Sequence, residues 1–496
     1  MFVVNLVEDV QQQERYAALS HCWGREQTIK TTKANLKSFM KCVPWLDLPR
    51  TFQHGITVAA SLRLNYIWID SLCIIQDDSL DWENESSKMA GIYENAVLTI
   101  AASSSAGDAD GFLVPRSEIL GEVLEGTVDM QPESPGMPTI PITLRPQLDH
   151  YSEFAPDEPL ELRAWTFQER LLSRRALLFS SHELRWECNT TPDCECGLNK
   201  QAEDFFSPHP YTFESSLSSG DENSSSIWYE EIVPRYTKGM LTKPEDKLPA
   251  LSGVANRFAR LTGDQYVAGL WKKDLLFGLL WRLVENPPHP MPYRYRAPSF
   301  AWSSIDGKVA FTKPGQFSEM SWTSEIISVS CQPAGLDRFG QVAEGRLVIY
   351  GPLVLCWLYL EQGIACRISF ELSKPDTSQD GYFWVTGDSK LDVAETENSS
   401  QLEDEAVSQI ASIHRTSNDA ASSKGWFPCF CLEIGNRKPT FGFGIMEHGL
   451  ILGASPQEKG AFERLGVLGS LTTVWEDVDV LKHIFENAPK QRVIIV

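Results

Sequence analysis

Hydrophobic and polar positions follow an informative order between Tyr66 and Ala102. A β-rich run, Tyr66 to Asp70, leads into a polar loop carrying Cys73, Gln76, Asp77 and Asp78. A helical stretch comes next, then a second buried run from Ala96 to Ala102. Strand, loop, helix and strand in this order predict a βαβ unit of a parallel sheet. Ligands of such sheets bind beyond the carboxyl ends of the strands, where the loop's polar groups gather. Asp78 or Ser79 caps the helix by accepting an otherwise unpaired backbone N–H. Helical spacing then sets Trp82, Met89, Ile92 and Tyr93 on one face, with Glu83 and Glu94 opposite. Upstream, Phe2–Val7 and Tyr16–Ser20 read as short strands and His21-Cys22-Trp23-Gly24 as a turn. Leu48-Pro49 opens a helix whose Phe52, Ile56 and Ala60 share a face.

The remaining pattern divides the chain into three expected parts. Residues 1–190 form an α/β domain, with 121–160, rich in Pro and acids, as an insertion. Within it, Leu162–Cys188 reads as a short helix around Trp165–Leu172 and a hairpin of Ala176–Phe179 and Leu184–Glu187. Residues 191–297 form a helical middle region after a Ser-rich, acidic loop at 215–226. Residues 298–496 form a β-rich region of short apolar runs, including Arg346–Tyr350, Leu353–Tyr359, Cys366–Phe370 and Phe427–Ile434, punctuated by Gly and Pro. Ser373–Gly425 reads as a long polar excursion, expected to be the least ordered part.

Composition narrows the class. Of 496 residues, 42% are apolar and 22% charged, and 24 Phe, 15 Trp and 13 Tyr argue for packed cores over disorder. The net charge of −22 disfavours nonspecific binding to nucleic acid or to anionic membranes. The apolar start of MFVVNLVEDV is too short for a secretory signal, and no apolar run is long enough for a membrane span. With 11 cysteines and no secretory signal, reduced thiols and a cytoplasmic location are expected.

Glu85 is the anomaly on the helix. It lies three residues after Trp82 and four before Met89, inside the apolar arc. A carboxylate there is costly unless paired, which makes it a candidate for chemistry; a capping or ion-pair role is the structural alternative. Asp70 and Cys73 follow a strand at the expected ligand edge, and Ser20 and Trp23 follow another. Arg163, Glu169 and Arg170 read as pairing with one another or with solvent. Cys188, Cys194 and Cys196, with His182 nearby, carry ligand types that suit zinc, but their spacing matches no familiar zinc motif and no metal is assigned. Phosphate loops, a GxSxG elbow and HExxH are absent from the sequence.

Three motifs carry a resemblance. Tyr16-Ala17-Ala18-Leu19-Ser20-His21-Cys22-Trp23-Gly24 resembles the opening motif of the fungal heterokaryon-incompatibility (HET) domain. Residues 66–77, from Tyr66 through Asp70 and Cys73 to Gln76-Asp77, resemble its second motif, which continues through Asp81-Trp82, Glu85, Met89, Ile92-Tyr93 and Ala96. Arg163-Ala164-Trp165-Thr166-Phe167-Gln168-Glu169-Arg170-Leu171-Leu172-Ser173 resembles the third. Residues 266–281 and 296–302 look like segments that often follow such domains. His21 stands where the family often has Tyr, and Phe300 where it often has Trp.

The resemblance implies a role in fungal non-self recognition and programmed cell death. It also implies a remote likeness to Toll/interleukin receptor (TIR) domains, hence a flavodoxin-like, mainly parallel sheet. Some TIR domains cleave NAD with a helix glutamate in a Trp-x-x-Glu setting, which Trp82-Glu83-Asn84-Glu85 matches. On that reading Glu85 is catalytic, NAD is a substrate rather than a bound cofactor, and Ser20, Trp23, Gly24, Asp70, Cys73, Gln76 and Trp82 shape the pocket. The alternative is a non-catalytic death-signalling module that works by self-association or by binding a recognition partner protein.

Overall fold

The computed structural model describes residues 3–8, 14–24, 29–114, 124–129, 139–144, 158–195, 226–284, 289, 292, 294–311, 320–371, 375, 383–393, 413–416, 423–437, 446–469 and 478–496. They fall into two compact units, Met1–Ser215 and Ser216–Val496.

The first unit is built on a mixed six-stranded sheet flanked by helices. Its strands are β1 (Tyr16–Ser20), β2 (Tyr66–Trp68), β3 (Leu98–Ala101), β4 (Arg175–Phe179), β5 (Leu184–Cys188) and β6 (Asp193–Cys194), in the spatial order β2-β1-β3-β4-β5-β6. The first four run parallel, and the β4–β5 and β5–β6 pairs are antiparallel. Helix α1 (Arg50–Ser61) connects β1 to β2, and α2 (Ser79–Asn95) connects β2 to β3. Alternation along β1 explains how both faces are covered. Ala17 and Leu19 pack with Phe52, Ile56 and Ala59 of α1, whereas Ala18 packs with Met89 and Tyr93 of α2. The same alternation turns Ser20 toward the α2 face. Helix α3 (Ala164–Leu172) joins α2 there through the Trp82 and Trp165 rings, whose centroids are 6.5 Å apart.

Several expectations need correction. Of the expected strand Phe2–Val7, the described residues 3–7 make only a single bridge, from Val4 to Val43. The second strand ends at Trp68, because Asp70 already begins a one-turn helix, Asp70–Cys73. Within 121–160, Leu124–Asp129 and Thr139–Leu144 form a separate two-stranded sheet, and most of the rest lies outside the described residues. So does nearly all of the Ser-rich stretch 215–226.

In the second unit, residues 226–283 are broken into short pieces. The longest helix among those described there, Ser252–Thr262, has 11 residues. Pro234, Pro244 and Pro249 each sit in the first turn of a short helix, as expected of a residue that cannot continue one. Trp228, Phe258, Tyr266 and Trp271 pack face and edge around them, with Phe258 stacked on Trp271 at 4.5 Å.

The β-rich part closes on itself. Val342–Glu361 pairs with Ile364–Ser369, then Phe383–Gly387, Phe462–Leu468, Met446–Ala454 and Gly425–Arg437, which pairs back with Val342–Glu361. This antiparallel ring is a six-stranded barrel. Lys490–Ile495 adds to the first half of Val342–Glu361. Cys356, Leu358, Cys429, Cys431, Ile451 and Leu465 fill the barrel core together with Leu481 and Phe485 of helix Val478–Glu486. Two runs expected as separate, 346–350 and 353–359, are one strand that continues through Gly351-Pro352. The polar excursion 373–425 contributes the barrel strand Phe383–Gly387, whose apolar residues the polar surroundings hide in the sequence; most of the remainder lies outside the described residues. Arg464 is fully buried, paired with Asp388 at 2.7 Å, and donates to the carbonyls of Leu279 and Trp281.

Ile100 is fully buried on the central strand β3. Ile100→Ala should lower stability by roughly 2–5 kcal/mol, measured by denaturant titration, because a central strand between two helical layers cannot collapse into the void.

Candidate functional site

The loops at the carboxyl ends of β1, β2 and β3 hold a buried polar network. Asp70 is its hub after β2. Asp70 Oδ2 accepts from Trp23 Nε1 at 2.8 Å, and Asp70 Oδ1 accepts from the Ser71 backbone N–H at 2.6 Å. His21 Nε2 lies 3.7 Å from Asp70 Oδ1. It is buried without a hydrogen-bond partner, as are the hydroxyls of Ser71 and Ser103. Burial holds the His21 imidazole below its usual value; Asp70 opposes this and Arg163 adds to it. Gly24 has a left-handed φ of 78°, and a Cβ there would stand 3.1 Å from Gly107 Cα, so the loops after β1 and β3 meet backbone to backbone.

The third motif supplies the other half. Ser20 Oγ donates to Glu169 Oε2 at 2.5 Å, and the Tyr93 hydroxyl donates to the Leu19 carbonyl at 3.4 Å. Ser173 Oγ donates to the Glu169 backbone carbonyl at 2.5 Å and touches Thr99 Oγ1 at 2.5 Å. Arg163 Nη1 donates to the His21 carbonyl. Arg170 does not pair with Glu169, as the sequence suggested, but with Glu187 and Glu161. Burial pushes the Glu169 carboxyl up to about 7; Asp70 adds to the rise, and the Ser20 bond and Arg163 restrain it. The signal was in the sequence. Glu169 follows Trp165 by four residues and precedes Leu172 by three, the same placement within an apolar arc that singled out Glu85.

Glu85 lies apart from this network. It is partly exposed and pairs with Lys88 Nζ at 2.7 Å. It lines a groove of about 1,070 Å³ together with Cys73, Asp81, Tyr16, Tyr66 and Trp68. Burial pushes the Cys73 thiol up to about 12, with Asp70 and Glu85 adding to the rise and the Ile69 backbone bond opposing it. The amide of Gln76 is spent on the carbonyls of Asp70 and Ile74, and Trp82 packs on Trp165. The structure thus brings Ser20, Trp23 and Asp70 into the network at the strand ends. It sets Glu85 and Cys73 on the groove, and uses Gly24, Gln76 and Trp82 to hold loops and helices in place.

Cys188 is hydrogen-bonded to Thr190 and Thr191, and Cys194 is buried; Cys196 lies outside the described residues. Among the described residues no three His, Cys, Asp or Glu side chains are arranged to hold a metal ion, and no helix is long and apolar enough to cross a membrane.

A carboxyl group that titrates higher in the fold than in the unfolded chain binds its proton more tightly when folded. Its stabilisation is therefore complete below about pH 4.5 and is lost as pH rises through about 7. Glu169→Gln removes that loss. Between about pH 4 and pH 8 the stability of Glu169→Gln should improve relative to the parent chain by about 3 kcal/mol, measured by denaturant titration at each pH. A stability difference that stays flat across this range would show that Glu169 titrates in the fold as it does in the unfolded chain.

No curated protein and no solved structure matches this chain. Residues 16–169 match the family described as heterokaryon incompatibility protein (HET). That span begins with the first residue of β1 and ends on Glu169, and so takes in Ser20, His21, Asp70 and Arg163 together with the Ser20–Glu169 bond. Over residues 16–169, within its first unit, the chain is thus similar to the HET family.

Proposed function

We propose that this chain is an effector of fungal heterokaryon incompatibility whose HET domain triggers cell death by cleaving the nicotinamide–ribose bond of NAD at Glu85. The observation that carries the reading is the placement of the Glu85 carboxylate on a groove walled by Tyr66 and Trp68. Breaking that bond builds positive charge on the ribose, and a carboxylate beside it stabilises the oxocarbenium-like state. The strand order β2-β1-β3-β4 with helices on both faces supports the flavodoxin-like, TIR-like comparison behind this chemistry. Fold analogy alone does not carry an activity, so the proposal rests on the acid.

One observation favours a second reading. Lys88 sits 2.7 Å from Glu85 and offsets its charge. A carboxylate held in that pair suits a non-catalytic module that acts by binding a partner or a second copy.

Expression of the chain in a fungal cell separates the two. On the catalytic reading it is toxic and depletes NAD. Glu85→Gln keeps the size of the side chain but not its charge, and should abolish both effects while melting at the parent temperature. A folded Glu85→Gln chain that still kills with NAD unchanged would leave the binding module standing.

A further inference from the structure

The groove that Glu85 faces runs along the free edge of the sheet. Tyr66–Trp68 pairs with β1 on one side, and among the described residues no strand pairs with its other side. The lining extends from Ile56, Ala59 and Leu64 beside α1 on one face to Glu85 and Ile92 of α2 on the other. Residues 3–8 form the far wall. All three residues of β2 are partly exposed and line this space. Ile69, the next residue, remains extended at φ −130° and ψ 116°.

The charge of the lining is one-sided. Among the described lining residues the charged side chains are Glu8, Glu14, Asp81 and Glu85, all acidic. Tyr16, Tyr66 and Trp68 present aromatic rings between them, and the remaining walls are largely aliphatic. A volume of about 1,070 Å³ is at the upper end of small-ligand pockets and open enough for a stretch of chain.

We propose that this groove docks an extended basic segment of a partner protein, which adds as a strand to the free edge of β2. Three features of the groove each meet one feature of such a segment. The unpaired edge supplies main-chain hydrogen bonds to an extended backbone. Glu8, Glu14 and Asp81 attract Lys or Arg, and the aromatic rings receive their cationic heads and aliphatic stems. The aliphatic walls take the alternate side chains, which point away from the charged ones because successive residues of a strand face opposite sides. The inference goes beyond the chemistry proposed for Glu85 and does not depend on it. A docked segment fills the space that Glu85 faces, so partner and any ligand at Glu85 exclude one another.

The test uses the full chain and a fluorescent nonapeptide of alternating valine and lysine, followed by anisotropy. Two control peptides accompany it: one alternating valine and glutamate, and one with proline at the central position of the basic sequence. The basic peptide should bind, more weakly as salt rises. The acidic peptide should not bind. The proline peptide should bind at least about tenfold more weakly, since proline cannot donate to the edge. Glu8 and Glu14 are exposed, so Glu8→Gln with Glu14→Gln leaves the fold intact and should weaken the basic peptide by about tenfold. The pair Glu245→Gln with Glu325→Gln, exposed and in the other unit, should leave binding unchanged and so exclude attraction to the overall negative charge. Equal binding of the basic and proline peptides would overturn strand addition. Absence of binding, or a stable dimer of the chain that the peptide cannot dissociate, would overturn the proposal and give the edge to a second copy.

Discussion

A carboxyl group removed from water is the constraint around which the loops of the first unit are arranged. Glu169 sits where α3 meets the end of β1, bound by Ser20, with Asp70 and Arg163 close enough to move its titration in opposite directions. An unpaired carboxylate in that position would unfold the junction or take up a proton. The network answers this by drawing on three separate stretches of sequence. Ser20 and His21 come from the first motif, Asp70 and Tyr93 from the second, and Arg163 and Glu169 from the third. Motifs that look unrelated along the chain become one polar cluster once the parallel strands align.

This division of labour separates two kinds of acid. Glu169 is deeply buried, with Ser20 on its carboxylate and Ser173 on its backbone carbonyl, so its role is to order the loops at the strand ends. Glu85 has one partner, partial exposure and a groove before it, which leaves it able to meet something from outside. The two sit in equivalent places on their helices. What distinguishes them is the neighbouring element: α3 is pressed against β1 and α2, while the first turns of α2 border the free edge of the sheet.

The legibility of the sequence follows the range of the forces involved. β1 was readable residue for residue, since five consecutive positions alternate between two buried faces. The capped start of α2 at Asp78 was readable from local chemistry. Asp70 was read as a strand residue because its role, accepting from Trp23 and Ser71, depends on a loop 47 positions away. Glu169 carried the same helical signature as Glu85, but its flanking arginines suggested a surface ion pair; Arg163 and Arg170 in fact turn to His21 and Glu187. The barrel's closure could not be read at all, because it rests on pairings such as Cys356 with Cys429 that no local pattern announces.

That closure bears on how the chain is made. Val342–Glu361 is synthesised early in the ring, yet its seam partner Gly425–Arg437 and the ring member Phe462–Leu468 emerge much later, and Lys490–Ile495 later still. Until residue 468 leaves the ribosome, the nascent sheet has two unpaired edges and an uncovered apolar face. Chaperone demand should therefore concentrate on a defined interval of translation, and a ribosome stalled within it would hold a sticky half-barrel rather than a smaller stable domain.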